Sequence, residues 1–126
     1  MKLKNEQLEK KLEKEKKIKQ EINKVKKLYK DFPKDKVKVL DGLINDVAFM
    51  KISLEEIRSD LVENGLTELF TQGTQEFNRE RPEVKIYTTL IQRYSNVMKQ
   101  LIDLLPEEEK KEQKDELLEF LQNGKL

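Results

Sequence analysis

Residues 82–106, PEVKIYTTLIQRYSNVMKQLIDLLP, decide the fold. Two prolines bracket one unbroken helical pattern. Pro82 suits a first-turn position, where its missing N–H costs no hydrogen bond, and Glu83 sits beside the positive end of the helix dipole. Pro106 stops the helix. Between them Val84, Tyr87, Ile91, Tyr94, Met98, Leu101 and Leu105 recur at alternating steps of three and four through three heptads. A second apolar row, Leu90, Val97 and Leu104, runs beside the first. A helix this apolar, in a chain of 126 residues of which 40% are charged, has to pack on other helices, those of other subunits included.

Upstream, residues 3–32 form a long basic helix. Ile18, Ile22, Val25, Tyr29 and Phe32 make a coiled-coil-like seam, while Leu8 and Leu12 are out of phase with it and belong to an exposed extension. Pro33 ends that helix. A second is expected from Asp35 to Met50, with Val37, Leu40, Ile44 and Val47 inward and Leu43 and Met50 widening the stripe. Ser53-Leu54-Glu55-Glu56 has the form of a capping box and predicts a third helix. That helix faces Leu54, Ile57, Leu61 and Val62 inward and stops at Asn64-Gly65, with Gly65 supplying positive φ. Residues 66–78 are the least helical, and the Gln72-Gly73 step fits a short hairpin or an extended loop. After Pro106 the chain is charged, with an amphipathic island at Leu117, Leu118, Phe120 and Leu121.

The expected class is therefore all-α. It has a basic amino-terminal helix (1–33), a helical core and oligomerisation region with a hairpin-like segment (34–106), and an acidic tail (107–126). The net charge of +1 conceals a gradient. Residues 1–38 hold 15 Lys against 7 acidic residues, a net of +8. Residues 39–105 are at −4 and residues 106–126 at −3. Such asymmetry belongs to chains with separate binding surfaces.

Chemistry is tightly bounded. With no cysteine and no histidine, disulfides, thiolate zinc sites and imidazole acid–base catalysis are excluded. The glycines are isolated and no phosphate-binding loop is present. Asp41 and Asp46, five apart on a helix, do not share a face cleanly. An enzyme is not expected, nor a cofactor or metal. No apolar run spans a membrane and no hydrophobic signal core opens the chain, so the expected location is cytoplasmic, the host cytoplasm if the protein is viral.

Binding surfaces remain. Lys10, Lys11, Lys14, Lys17, Lys24 and Lys27 offer a phosphate-binding helix, sequence-independent and salt-sensitive. The alternative is a solvated coiled-coil surface, since Glu6, Glu9, Glu13, Glu15 and Glu21 lie within reach of the same lysines. Arg79 and Arg81, with Arg93, gather at the start of the 82–106 helix and offer contacts to DNA or to a carboxylate across a subunit interface. A helix-turn-helix over residues 35–64 is disfavoured, because its second helix would carry Glu55, Glu56, Asp60 and Glu63 against Arg58 alone. The Asp115–Leu121 island reads as a docking helix for a partner groove, against folding back on its own core.

Three stretches resemble the small terminase subunit of tailed bacteriophages, of the type found in phages of Gram-positive hosts. They are AFMKISLEEIRSDLVENG (48–65), ELFTQGTQEFNRERPEVKIYTTLIQRYS (68–95) and VMKQLIDLLP (97–106). The resemblance covers residues 37–106. It implies a non-enzymatic packaging factor that assembles into a homo-oligomeric ring, binds double-stranded viral DNA and delivers it to a large terminase subunit holding the ATPase and nuclease. Many members bind DNA through an amino-terminal helix-turn-helix. Here the corresponding helix is acidic, and the basic first helix takes that role. The expected interface is then Ile18, Ile22, Val25 and Tyr29 with Tyr87, Ile91, Tyr94, Met98 and Leu101. The DNA surface is the six lysines with Arg79 and Arg81, and Leu117, Leu118, Phe120 and Leu121 dock the large subunit. The competing expectation is a helical coiled-coil scaffold with no nucleic-acid role.

Overall fold

A computed structural model describes residues 2–123, with side chains from Lys4 onward. Among them are α1 (Lys2–Lys26), which runs into a 3-10 turn (Lys27–Tyr29), α2 (Lys34–Asn64), strands β1 (Thr67–Gln72) and β2 (Gln75–Glu80), α3 (Pro82–Asp103) and α4 (Glu107–Asn123). The chain is predominantly helical, as its sequence requires. The helices alternate in direction. α1 and α2 are antiparallel, held in register by Lys14–Glu56 (3.6 Å), Glu21–Lys51 (3.1 Å) and Lys26–Asp41 (3.8 Å). Arg58 donates to the Tyr87 hydroxyl (3.1 Å) across the antiparallel α2–α3 pair. α4 folds back along α3, bringing the Phe120 ring edge-on to Tyr94 at 5.2 Å. This is the up-down-up-down order that short connections favour in a four-helix bundle.

The heptad seam of α3 lies in the core. Tyr94, Leu101 and Leu105 are buried, and Tyr87, Ile91 and Met98 pack against them. They meet Val25 and Tyr29 from the first helical segment, Leu40, Ile44, Val47, Met50 and Leu54 from α2, and Leu117 and Phe120 from α4. The Tyr29 hydroxyl donates to the Leu101 carbonyl at 2.6 Å and ties the end of the 3-10 turn to the last turn of α3. Burial raises both the Tyr29 and Tyr94 phenols well above their ordinary range. Val25, Tyr29, Tyr94 and Leu101, assigned from sequence to a subunit interface, are thus inside a single chain. One protomer satisfies most of the apolar stripe that seemed to need several.

Residues 35–64 form one helix, not two. Ala48, Met50, Lys51, Ile52, Ser53 and Leu54 are all buried, so the segment expected to break is the most enclosed part of α2. Ser53 is mid-helix and caps nothing. Its capping-box pattern is outweighed by the burial that an unbroken helix gives its neighbours. With no turn at Met50–Ser53, no helix-turn-helix exists there. Val62, expected inward, is 81% exposed.

α2 ends where expected, with Gly65 at φ 84° and its N–H donating to the Leu61 carbonyl (2.9 Å). Residues 67–80 form a hairpin in which Phe70 pairs with Phe77 and Gln72 with Gln75. Gly73 has φ 62° and Thr74 no positive φ, the pattern of a two-residue type II′ turn. Every residue of β2 is exposed, and the hairpin projects from the bundle. Among the described residues, no helix is long and apolar enough to cross a membrane.

Candidate nucleic-acid interface

α1 carries the strongest positive charge of the helices, ten lysines against five glutamates, most of the excess lying from Lys14 onward. Lys10, Lys17 and Lys24 recur every seven residues, so they lie nearly in line along it, about 10 Å apart at 1.5 Å per residue. All three are exposed, as are Lys11 and Lys27. Lys27 opens the 3-10 turn just beyond the end of α1. A shallow groove between α1 and α2 is walled by Lys10, Lys11, Lys14 and Lys17 on one side and closed by Glu13 and Glu56.

Not every cation there is free. Lys14 is half-buried, paired with Glu56 and seated over the Phe49 ring at 5.3 Å. Lys17 reaches Glu13 one turn away at 3.9 Å, a pair open to solvent and therefore weak. The groove can accept the phosphates of a polyanion. Its lining cations are ammonium point charges, without the planar fork of a guanidinium.

The two arginines expected to join this surface are engaged elsewhere. Arg79 donates from Nε to Glu68 (2.8 Å) and lays its guanidinium over the Phe70 ring at 3.9 Å, which staples the two strands. Arg81 is only 12% exposed. It donates to the Asp60 carboxylate (2.8 Å) and to the Gly65 carbonyl (2.9 Å), and its own N–H donates to the Leu66 carbonyl (2.9 Å). Its guanidinium holds the Asp60 carboxyl below the usual carboxylate range, with Asn64 assisting. Arg81 is a latch at the base of the hairpin, not a phosphate ligand. The pattern RERP shows a helix start, but its long-range partner Asp60 gives no local signal.

The tail also differs from expectation. Leu117 is 7% exposed and Phe120 2%, both in the core, so they cannot dock a partner while α4 is folded back. Leu118 is 55% exposed and Leu121 half-buried. The outer face of α4 therefore presents Leu118 flanked by Asp115 and Glu119.

Sequence reasoning missed the buried pair of Lys51 and Glu21. Lys51 stands at the meeting of all four helices, 3.1 Å from Glu21 and 5.6 Å above the Phe120 ring. A small cleft of about 90 Å³ opens beside it, lined by Lys24, Met98, Gln113 and Glu116 among others. The one hint in the sequence is a lysine standing in the dense apolar stretch 47–54. Comparison with protein-family models, curated proteins and solved structures finds no match to this chain.

Proposed function

We propose that the chain is a DNA-packaging factor of the small-terminase kind: a non-enzymatic protein that self-associates, binds duplex DNA through phosphate contacts and passes it to a separate ATPase and nuclease subunit. The observation that carries the reading is the exposed lysine line of α1, Lys10, Lys17 and Lys24, on a chain otherwise acidic. Self-association multiplies the effect, because each added copy brings a further net +8 from residues 1–38 to the same assembly. The outer face of α4, with Leu118 among acidic residues, is the surface left for the motor subunit.

The test is duplex binding followed by fluorescence anisotropy across a salt series. The logarithm of the affinity is expected to fall linearly with the logarithm of salt, and replacing Lys10, Lys17 and Lys24 with Gln should each lower the slope by about 0.9. Arg81→Gln should leave the slope unchanged. Absence of binding at low salt by the assembled protein would remove the DNA role. The second reading, a helical scaffold without nucleic acid, is favoured by the pairing of Lys14 with Glu56 and Lys17 with Glu13, and it predicts that outcome.

A further inference from the structure

Two helix faces stand exposed among the described residues, and they match each other. One is on the first three turns of α3, a groove formed by Pro82, Lys85, Ile86, Thr89, Leu90 and Arg93. Ile86 is 54% exposed there. The other is on the last three turns of α2, where Glu55, Ser59, Val62 and Glu63 are all exposed, Val62 to 81%. Neither Lys85 nor Arg93 pairs with an acid among the described residues, and neither Glu55 nor Glu63 pairs with a base.

The spacings coincide. Lys85 and Arg93 are eight residues apart, as are Glu55 and Glu63, which is about 12 Å along either helix. Laid antiparallel, the two faces set Lys85 against Glu63, Ile86 against Val62, Thr89 against Ser59 and Arg93 against Glu55. Opposite charges meet at both ends, the small hydroxyl residues meet in the middle, and the exposed aliphatic side chains of the two faces, Ile86 and Val62, cover one another. Residues at i, i+3 or i+4, and i+7 on each helix supply the contact, the arrangement by which helices pack side by side.

We propose that the groove of α3 takes the last three turns of α2 from a second copy of this chain. The seam differs from the one expected from sequence, whose residues, Ile18 apart, lie in or against the core of the protomer. The inference rests on the self-association part of the packaging reading and is independent of its DNA part.

Sedimentation equilibrium of the full chain tests it. The unaltered protein is expected at a multiple of 15.0 kDa across micromolar concentrations. Arg93→Glu alone and Glu55→Arg alone should each weaken association by about tenfold or more, and the two together should restore it, because the pair is re-formed with its signs exchanged. Ile86→Asp, at an exposed position outside the core, should dissociate the assembly while circular dichroism keeps its helical signal. A mass of 15.0 kDa for the unaltered protein at every concentration overturns the proposal and leaves the groove to a different protein. So does a double variant as weak as its parents, or an Ile86→Asp protein that associates normally. Duplex binding lost without a change in mass refutes the DNA reading and leaves this one standing.

Discussion

Replacing Lys51 with Met keeps an unbranched apolar stem and removes the ammonium group that faces Glu21 and stands over the Phe120 ring. The Lys51 side chain is 5% exposed and that of Glu21 16%, so the pair is largely withdrawn from water. Breaking a fully buried pair costs about 3–5 kcal/mol, because the surviving charge is left unsolvated. Glu21 keeps some access to solvent, which reduces the expected loss to about 2–3 kcal/mol. With a urea dependence of about 1.5 kcal/mol per molar for a domain of this size, the midpoint should fall by about 1.5 M with the slope unchanged. Circular dichroism at the helical minimum, read through a urea series, measures it. The double variant Lys51→Met with Glu21→Met should recover to within about 1 kcal/mol of the unaltered chain, since an apolar pair of similar volume replaces both charges. A Lys51→Met protein as stable as its parent, or a double variant as unstable as the single one, would refute the claim that this pair is a buried, mutually dependent unit.

Phe120→Ala should cost about 3 kcal/mol, and the loss should be local: hydrogen exchange is expected to show α4 opening while the amides of α2 stay protected, because α4 packs chiefly along α3. The latch between Asp60 and Arg81 gives an acid limb. The folded-state pKa of Asp60 lies below its ordinary 3.8, so its contribution is fully present above that value and is lost as pH falls through the lower folded-state pKa. Asp60→Asn should remove this pH dependence, read from exchange of hairpin amides between pH 2 and 5 at matched temperature, with the intrinsic exchange rate corrected.

The parts of this molecule that sequence made legible are those with a local cause. Pro82 opens α3, which ends at Asp103, three residues short of Pro106; Gly65 ends α2, Gly73 turns the hairpin, and the recurrence of Tyr94 and Leu101 marks the buried face of α3. Ser53 misled because a local capping pattern competes with burial contributed by distant helices, and burial won. Arg81 and the α4 island misled for a related reason. Arg81 finds Asp60 twenty-one positions upstream, and Phe120 finds Tyr94 twenty-six positions upstream. Lys51 and Glu21 are thirty positions apart. No periodicity connects such pairs; only the alternating course of the helices does. The lysine line of α1 was visible as charge, but its division into open cations and the partly covered Lys14 depended on where Phe49 and Glu56 came to lie.

The continuity of α2 past Ser53 has a mechanical consequence. Thirty-one residues of unbroken helix form a rod about 46 Å long, the spine on which α1 and α3 both pack. A hinge at Met50–Ser53 would have let the hairpin end swing independently of the Phe32–Pro33 end. Without one, a load taken at the acidic last turns reaches the other end as a tilt of the whole rod.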